Sequence, residues 1–262
     1  MRLARFRTPD GEVHHGLVED AQVRVVEGCV FGQWSPTDRT LPLVEVTLLA
    51  PVKPPNILAL GLNYAEHAQE SDADLPPAPL LFIKSTTTLN DPGAPIVLPR
   101  MCPHQVDYEA EQALVIGKTA KHVSQAEALD YVLGFTCGND VSARDAQMGD
   151  GQWARGKSFD SFCPLGPWIE TELDADHCGI CLRLNGETLQ EANTSDRIFQ
   201  SAFVVSYLSH CMTLLPGTVI MTGTPSGVGF ARVPPLWLQP GDVVEVEIEG
   251  LGVLRNPVIA EE

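Results

Sequence analysis

Positive charge is scarce in this sequence. Its 17 lysines and arginines stand against 34 aspartates and glutamates, for a formal net charge of −17. This excess of negative charge argues against nucleic acid or an anionic membrane surface as a partner. A small anionic molecule would also be repelled at long range, so a site for one must gather cationic side chains locally.

Long apolar runs are missing as well. No segment is long enough to span a bilayer, and the basic residues 1–7 lead into a polar turn rather than into the apolar core of a signal peptide. Seven cysteines without such a signal indicate a reducing compartment, so we expect a cytoplasmic protein. Cys178 and Cys181 form a single C-x-x-C beside a strand pattern, where residues three apart face opposite sides, which favours structural thiols over a metal site.

Proline divides the chain. With 262 residues, 44% of them hydrophobic, the chain can form one large domain or two unequal ones. The proline-rich residues 51–55 are the best boundary, and they predict a small N-terminal β domain, residues 1–53, and a larger domain, residues 54–262. Strand patterns outnumber helical ones without regular alternation, so we expect a mainly β fold with some α and a mixed, mostly antiparallel sheet.

Two acidic residues stand out on the segment 106–117, whose second half is apolar and indicates a core strand. Side chains alternate along a strand, so Glu109 and Glu111 project from one face. Two carboxylates 4 Å apart repel each other by about 4 kcal/mol at intermediate dielectric, so they need open water, shared protons or a cation. The alternative is an exposed strand face with solvated glutamates.

A third acid favours the cation. Residues 133–139 have the pattern of a buried strand, and Asp140 stands where that strand ends. Three carboxylates without a nearby cysteine or histidine suit Mg²⁺, Mn²⁺ or Ca²⁺ better than zinc.

A histidine and a glutamate lie three residues apart in a short predicted helix. Residues 64–71 can form two turns, which puts His67 and Glu70 on one face. The carboxylate can then hold the imidazole in one tautomer, as a general base requires. A solvated surface pair is the alternative. Residues 72–79 are loop-like, so the helix can serve as a lid.

One segment imitates a phosphate-binding loop. Residues 151–158 match the pattern G-x-x-x-x-G-K-S, but that loop works only between a buried strand and a helix. Here a polar, helix-like stretch precedes it, and the residues after it, which include two prolines, cannot form a helix. We therefore interpret Lys157 as a single cation for an anionic substrate.

Three further local patterns give structural expectations. Ser124 and Glu127 match a capping box that opens a short helix to about Tyr131. Asn185-Gly186 predicts a type I′ hairpin. A helix capped at Thr194 or Ser195 is expected to run through about Met212.

Seven long motifs follow one another from about residue 56 to residue 258. They are GLNYAEHAQE, VDYEAEQALVIGK, GFTCGNDVSARDAQ, WARGKSFDSFCPLGPWIET, NGETLQEANTSDRIF, LLPGTVIMTGTPSGVGF and LQPGDVVEVEIEGLGVLRNPV. By these motifs the chain resembles the fumarylacetoacetate hydrolase family. The resemblance is to its smaller single-copy members, which include acylpyruvases, oxaloacetate decarboxylases and 2-hydroxyhepta-2,4-diene-1,7-dioate isomerases.

The resemblance implies a rolled β-sheet catalytic domain with an N-terminal β appendage, a homodimer, and a site for Mg²⁺ or Mn²⁺, with Ca²⁺ as an alternative occupant in crystals. Three groups of residues are implied: metal ligands Glu109, Glu111 and Asp140; catalytic residues His67, Glu70 and Lys157; and substrate-binding residues Arg144, Gln147 and Thr224. Ala110 and Gln112 depart from the family pattern, in which a glycine and an aliphatic residue are common.

The implied activity is hydrolysis of a C–C bond in an acylpyruvate or related small anionic 2-oxo acid, through an enolate that the metal stabilises. In this reaction His67 would take a proton from water. Decarboxylation of oxaloacetate-type acids and isomerisation of 2-hydroxyhepta-2,4-diene-1,7-dioate, on a route of aromatic degradation, use the same enolate and are the alternatives. A non-catalytic metal-binding protein is the alternative from another class.

Overall fold

A computed structural model describes residues 1–262 and consists mainly of β-strands. The strands, in chain order, are β1 (Arg2–Arg7), β2 (Val13–Glu19), β3 (Gln22–Gly28), β4 (Trp34–Pro42), β5 (Thr47–Leu49), β6 (Ile57–Gly61), β7 (Leu80–Lys84), β8 (Leu89–Asn90), β9 (Ile96–Leu98), β10 (Val106–Asp107), β11 (Ala110–Ile116), β12 (Val132–Asn139), β13 (Ser142–Ala143), β14 (Cys163–Glu170), β15 (Gly179–Leu184), β16 (Glu187–Asn193), β17 (Val219–Met221), β18 (Val243–Ile248) and β19 (Gly252–Ala260). The α-helices are α1 (Ala65–Glu70), α2 (Arg144–Asp150), α3 (Trp153–Gly156) and α4 (Ser201–Cys211). None of the helices has both the length and the apolar character needed to cross a membrane.

The strands form one large sheet, one medium sheet and a two-stranded ribbon. The 12-stranded sheet has the order β4-β3-β2-β1-β14-β12-β11-β17-β6-β7, with β5 beside β1 and β8 beside β14. The second sheet has the order β16-β15-β18-β19-β9, and β10 pairs with β13. Only β6–β17, β8–β14 and β9–β19 are parallel pairs, so the expected mixed, mostly antiparallel architecture is confirmed.

Strand β11 runs through the middle of the core and is buried at every position. Leu114 and Ile116 join the larger hydrophobic cluster, whereas Ala113 and Val115 join a second cluster on the other face. Because both faces are covered, residues 113–116 are all apolar instead of alternating with polar residues, whereas Glu111 and Gln112 at the start of the strand are buried polar side chains. This burial positions the acidic start of the strand inside the protein.

The first five strands continue the large sheet. Strand β1 pairs with β14 through Arg2↔Glu170 and Leu3↔Ile169, so the ladder passes from the N-terminal region into the rest of the chain. Within the proline-rich joint, Val52 and Pro54 are buried. The division into residues 1–53 and 54–262 stays a prediction.

Helix α4 begins later than its sequence pattern predicts. Arg197 is extended, and α4 starts at Ser201 instead of at Thr194 or Ser195. The reason is a distant asparagine: the backbone N–H groups of Ile198 and Phe199 donate to the carbonyl and side-chain oxygens of Asn63, each at 2.8 Å. Donors held in this way cannot enter a helix, so the prediction of one helix through about Met212 was wrong.

Two other local predictions have opposite outcomes. The hydroxyl of Ser124 donates to the Glu127 carboxylate at 2.6 Å instead of capping a helix, and only a 3₁₀ turn at Ala128–Tyr131 follows. The predicted capping box was therefore wrong, whereas a short helix that ends at Tyr131 is present as a 3₁₀ turn. The hairpin at Asn185-Gly186 is confirmed, because both residues have positive φ, 54° and 86°, as a type I′ turn requires.

Candidate active site

Three acids from two neighbouring strands meet inside the protein. Glu111 lies on β11, Glu109 precedes that strand, and Asp140 follows β12. The antiparallel register and a hydrogen bond from the Asp140 N–H to the Glu109 carbonyl, at 2.9 Å, bring these positions together. All three side chains are buried, and one oxygen of each lies within 4.8 Å of the others. The structure thus brings the predicted metal-ligand set together; its role as ligands stays a prediction.

Lysine and arginine neutralise part of this acid cluster. Lys157 Nζ lies 2.6 Å from Glu109 Oε2 and 2.8 Å from Asp140 Oδ2. Arg144 Nη2 lies 2.7 Å from Glu109 Oε1, and Lys84 Nζ donates to Asp140 Oδ1. The local cations that a negatively charged protein needs for an anionic ligand are therefore present.

The two glutamates have opposite electrostatic environments. Burial alone raises the pKa of Glu109, but Lys157 and Arg144 outweigh burial and bring it down to about 2. Burial and the carboxylates of Asp140 and Glu109 instead raise the pKa of Glu111 well above its usual range. Glu111 has no cationic side chain in contact: Oε2 accepts the Gly223 N–H at 2.7 Å, and Oε1 has no hydrogen-bond partner.

The acid cluster fits a divalent cation. Two oxygens that bind one ion at about 2.1 to 2.4 Å can lie at most about 4.2 to 4.8 Å apart. The three carboxylate oxygens lie within 4.8 Å of one another. The unpartnered Oε1 of Glu111 is a buried acceptor that such an ion would satisfy. The set holds only oxygen atoms, which favours Mg²⁺, Mn²⁺ or Ca²⁺.

Arg144 is held in place by a buried aspartate. The Asp107 carboxylate accepts from Arg144 Nε at 2.9 Å and also from the backbone N–H groups of Gly229 and Phe230. The Phe230 ring covers the guanidinium at 4.5 Å, and Gln147 Oε1 accepts from Nη1 at 3.0 Å. Burial favours the neutral forms of both ionic partners, yet the Arg144 pKa remains raised because Asp107 and Glu109 are so close.

His67 and Glu70 form the contact that their spacing predicts. His67 Nδ1 lies 2.8 Å from Glu70 Oε1, and His67 is buried. The other carboxylate oxygen of Glu70 accepts the Gly227 N–H at 2.8 Å. An ionised carboxylate can only accept, so Nδ1 carries a proton, and in the neutral imidazole Nε2 then has the lone pair. The alternative of a solvated surface pair is therefore wrong.

One cavity of about 210 Å³ joins these groups. It is lined by seven of the nine predicted site residues: His67, Glu109, Glu111, Arg144, Gln147, Lys157 and Thr224. Asp140 and Glu70 do not line it, but they contact Lys157 and His67, which do. The catalytic and binding roles of these residues stay predictions.

Sequence reasoning missed three residues that organise the site. Lys84 ends strand β7 and pairs with Asp140; Asp107 anchors Arg144; Gln190 Nε2 donates to Thr224 Oγ1 at 2.9 Å. Asp107 stands two residues before Glu109, a local signal that could have found it. Lys84 and Gln190 carry no such signal, because their partners are 56 and 34 residues away.

The segment 151–158 lacks the strand before it and the helix after it, as the flanking sequence predicts. Helix α2 precedes it, and residues 153–156 form the short helix α3. No helix follows Lys157, whose ammonium contacts carboxylates. The strand-loop-helix that cradles phosphate is not formed here.

Comparison with known proteins finds two matching family models. Residues 56–259 match the family model described as fumarylacetoacetate (FAA) hydrolase C-terminal, and residues 1–51 match the one described as Rv2993c-like, N-terminal. Oxaloacetate tautomerase Fahd2a, mitochondrial, of Rattus norvegicus is 44% identical over 224 residues, which covers 84% of this chain and 71% of that protein.

Two solved structures share the whole fold. The 2-hydroxyhepta-2,4-diene-1,7-dioate isomerase from Mycobacterium marinum is 41% identical, with a TM-score of 0.89 and coverage of 100% of this chain and 99% of the other. The fumarylacetoacetate hydrolase from psychrophilic Exiguobacterium antarcticum is 37% identical, with a TM-score of 0.91 and 100% coverage of both chains.

Proposed function

Because this chain belongs to the fumarylacetoacetate hydrolase family, as its motifs predict, we propose that it is a divalent-metal-dependent enzyme that moves a proton on a small 2-oxo acid and interconverts its enol and keto forms. Two relatives have names that support proton transfer to carbon, an oxaloacetate tautomerase and a heptadiene-dioate isomerase. We propose Mg²⁺ or Mn²⁺ as the metal and a homodimer as the assembly.

The observation that carries this proposal is the oriented imidazole beside the charge cluster. His67 lines the same cavity as Glu109, Glu111 and Lys157, and its Nδ1 is held by Glu70 at 2.8 Å. A base of this kind contributes about 10² to 10⁴ in rate when it meets the proton to be moved. Its neighbours are the groups that stabilise negative charge on substrate oxygens.

The residues divide the work. Glu109, Glu111 and Asp140 would hold the divalent cation, which supplies Lewis-acid stabilisation of the negative charge on the substrate oxygens. Arg144 and Lys157 attract and orient the substrate carboxylate. In the enol-to-keto direction the enol oxygen loses its proton and the neighbouring carbon gains one. His67 accepts a proton at Nε2 and delivers one to that carbon, while Glu70 stabilises the imidazolium.

The size of the cavity favours a small substrate. At about 210 Å³ it is smaller than the roughly 300 to 1,000 Å³ of common ligand pockets. Enol–keto interconversion needs room for one small acid, and neither water nor a second product takes part.

Hydrolysis of a C–C bond in an acylpyruvate is the second candidate, and the same dyad favours it. His67 can take a proton from water as readily as from an enol, so that hydroxide attacks the distal carbonyl. The C–C bond then breaks, and a carboxylic acid and a 2-oxo acid leave. Decarboxylation of an oxaloacetate-type acid loses CO₂ without water attack and does not need His67.

A substrate panel tests the proposal. The protein is freed of metal with a chelator, reloaded with Mg²⁺ or Mn²⁺, and given enol-oxaloacetate, acetylpyruvate and a 2-hydroxy-diene dioate. Ultraviolet absorbance follows loss of the enol, and product analysis follows acid release and CO₂. We expect ketonisation of enol-oxaloacetate to be the fastest reaction and to require the metal. Faster hydrolysis of acetylpyruvate would favour the second candidate.

A further inference from the structure

An apolar wall begins directly beside the catalytic-site cations. Lys157 Nζ lies 5.4 Å from the centre of the Phe82 ring, and Phe82 packs edge-on against Trp153 at 5.3 Å and 76°. Trp153 in turn rests on Gly61: a methyl group at Gly61 would lie 2.2 Å from Cζ3 of the indole. Gly61, Phe82 and Trp153 all line the cavity.

We propose that Trp153, seated on Gly61 and Phe82, is a specificity-determining residue that restricts the enzyme to short 2-oxo acids and excludes those with a long tail. This inference rests on the proposed function and names its substrate class. The carboxylate and the 2-oxo group of the substrate bind at the end of the cavity that holds Arg144 and Lys157. Any part of the substrate that extends past Lys157 contacts the Trp153 indole.

The chemistry of the wall supports this limit. Leu60, Leu62, Phe82, Met148 and Trp153 line the cavity without a charged group among them. A second carboxylate on a long chain gains no cationic partner from these side chains, and beside the buried Leu60 it also loses hydration, at a cost in binding free energy. A second carboxylate close to the 2-oxo group can still reach Arg144 or Lys157. A four-carbon dioate therefore fits this pattern better than a seven-carbon one.

The distance between wall and cation is fixed by helix α3. Trp153 begins this helix, and Lys157 directly follows it. A methyl group at Gly156 would lie 2.7 Å from the Gln147 nitrogen and 2.8 Å from the Ala143 carbonyl, so α3 packs directly on the start of α2. Residues 151–158, which imitate a phosphate loop, thus set the distance between the Lys157 ammonium and the Trp153 indole.

Ligand binding tests the inference without turnover. Oxamate mimics a short 2-oxo acid, and N-(3-carboxypropyl)oxamate adds a tail that ends in a second carboxylate; both are titrated calorimetrically into the Mg²⁺-loaded protein. We expect the wild type to prefer oxamate. Trp153→Ala should shrink that preference at least about tenfold, since a pocket discriminates about tenfold or more per methylene group. Trp153→Phe, which keeps a ring against Phe82, should act in the same direction by a smaller factor.

Gly61→Ala provides the opposite change. Its methyl group collides with the indole. Because both residues line the cavity, we expect the displaced indole to narrow it and the preference for oxamate to grow. Trp34→Phe is the matched control, because Trp34 lies on β4 and does not line the cavity, and it should keep the wild-type ratio.

The outcomes separate the two hypotheses. If oxamate does not bind the loaded wild type, the proposed 2-oxo acid site fails and this inference falls with it. If oxamate binds but the Trp153 and Gly61 variants change both affinities by one common factor, only the specificity role is overturned. Opposite shifts of the ratio in the two kinds of variant support it.

Discussion

The two halves of the site are built from different materials. Glu111 stands on β11, which is buried at every position, with Glu109 and Asp140 beside it, whereas His67 and Glu70 stand on α1, a helix of six residues. A helix this short is unstable by itself in water. Its position depends on contacts such as Glu70 with the Gly227 N–H and Glu66 with the Ser226 hydroxyl at 3.1 Å.

We therefore expect the acid cluster on the sheet to be rigid and the helix that carries His67 to be the more mobile part of the site. Buried acids and cations hold their geometry because the sheet defines it, which is what preorganised electrostatic stabilisation needs. After α1 the chain continues through the exposed residues Asp72, Asp74 and Leu75. Because this segment makes few buried contacts, the free energy needed to open it locally is low. We therefore expect variants of the two halves to separate metal binding from proton transfer.

The largest expected effect is that of Glu111→Gln. Replacing a group that merely supports a ligand costs about 10- to 100-fold in metal affinity, so replacing the ligand itself should cost more than about 100-fold and abolish turnover. Calorimetric titration with Mn²⁺ measures the loss. Glu191→Gln, on an exposed carboxylate of β16, is the control, and an unchanged affinity in Glu111→Gln would exclude Glu111 as a ligand.

The same variant should stabilise the metal-free protein. Because the folded-state pKa of Glu111 is raised, the folded state binds its proton more tightly than the unfolded chain does. The stability that this proton provides is lost as the pH rises above the usual glutamate value. Glutamine keeps an acceptor for the Gly223 N–H without the charge. We expect a higher melting temperature at neutral pH in the absence of metal.

His67→Ala should impair proton transfer without affecting metal binding. Loss of a general base lowers turnover by about 10² to 10⁴, and Mn²⁺ affinity should stay nearly unchanged because the ring is outside the acid set. Acylpyruvate hydrolysis should fall more than oxaloacetate decarboxylation, which needs no water attack. Equal losses in the two reactions would remove His67 from water activation. His177→Ala, whose partner Asp174 has the same three-residue spacing on the surface, is the matched control.

Lys157→Met should raise the Mn²⁺ affinity and lower turnover. The ammonium occupies oxygens of Glu109 and Asp140, so its removal relieves repulsion of a second cation and should raise Mn²⁺ affinity about tenfold. Turnover should fall, because the substrate loses a cation. The exposed Lys53→Met is the control, and weaker Mn²⁺ binding in Lys157→Met would show that the lysine instead organises the ligands.

A smaller effect is expected from pH. Glu111 must lose its proton to bind an ion, whereas Glu109, with a pKa of about 2, is already charged. Metal affinity should therefore rise with pH, and binding should release up to one proton per ion. Titration with Mn²⁺ in two buffers of different ionisation enthalpy measures this release. An equal heat of binding in both buffers would contradict the raised pKa of Glu111.

No effect at all is expected from ATP. The phosphate-loop pattern at residues 151–158 lacks the preceding strand and the following helix, so millimolar ATP should leave the melting temperature of the metal-free protein unchanged. A reproducible increase would show that the segment binds phosphate after all.

Local patterns predicted the site better than they predicted helix boundaries. The acid pair and the His67–Glu70 contact follow from strand alternation and helical spacing, both of which are short-range properties, whereas the resemblance to the family implied that Asp140 joins the pair. The start of α4 was missed because Asn63, 136 residues before Phe199, captures the backbone donors that a helix would use. Propensity within a window cannot register such a partner.

The amino-acid sequence by itself determined the family, the β-rich architecture, the acids that converge and the histidine that faces them, since these depend on patterns and motifs contiguous along the chain. Only the tertiary structure decided which cation neutralises which acid. Lys84 and Lys157 reach Asp140 across 56 and 17 residues, and Glu111 is left without a cation. Charges interact through space, so the unequal pKa values of two glutamates two residues apart arise only once the chain has folded.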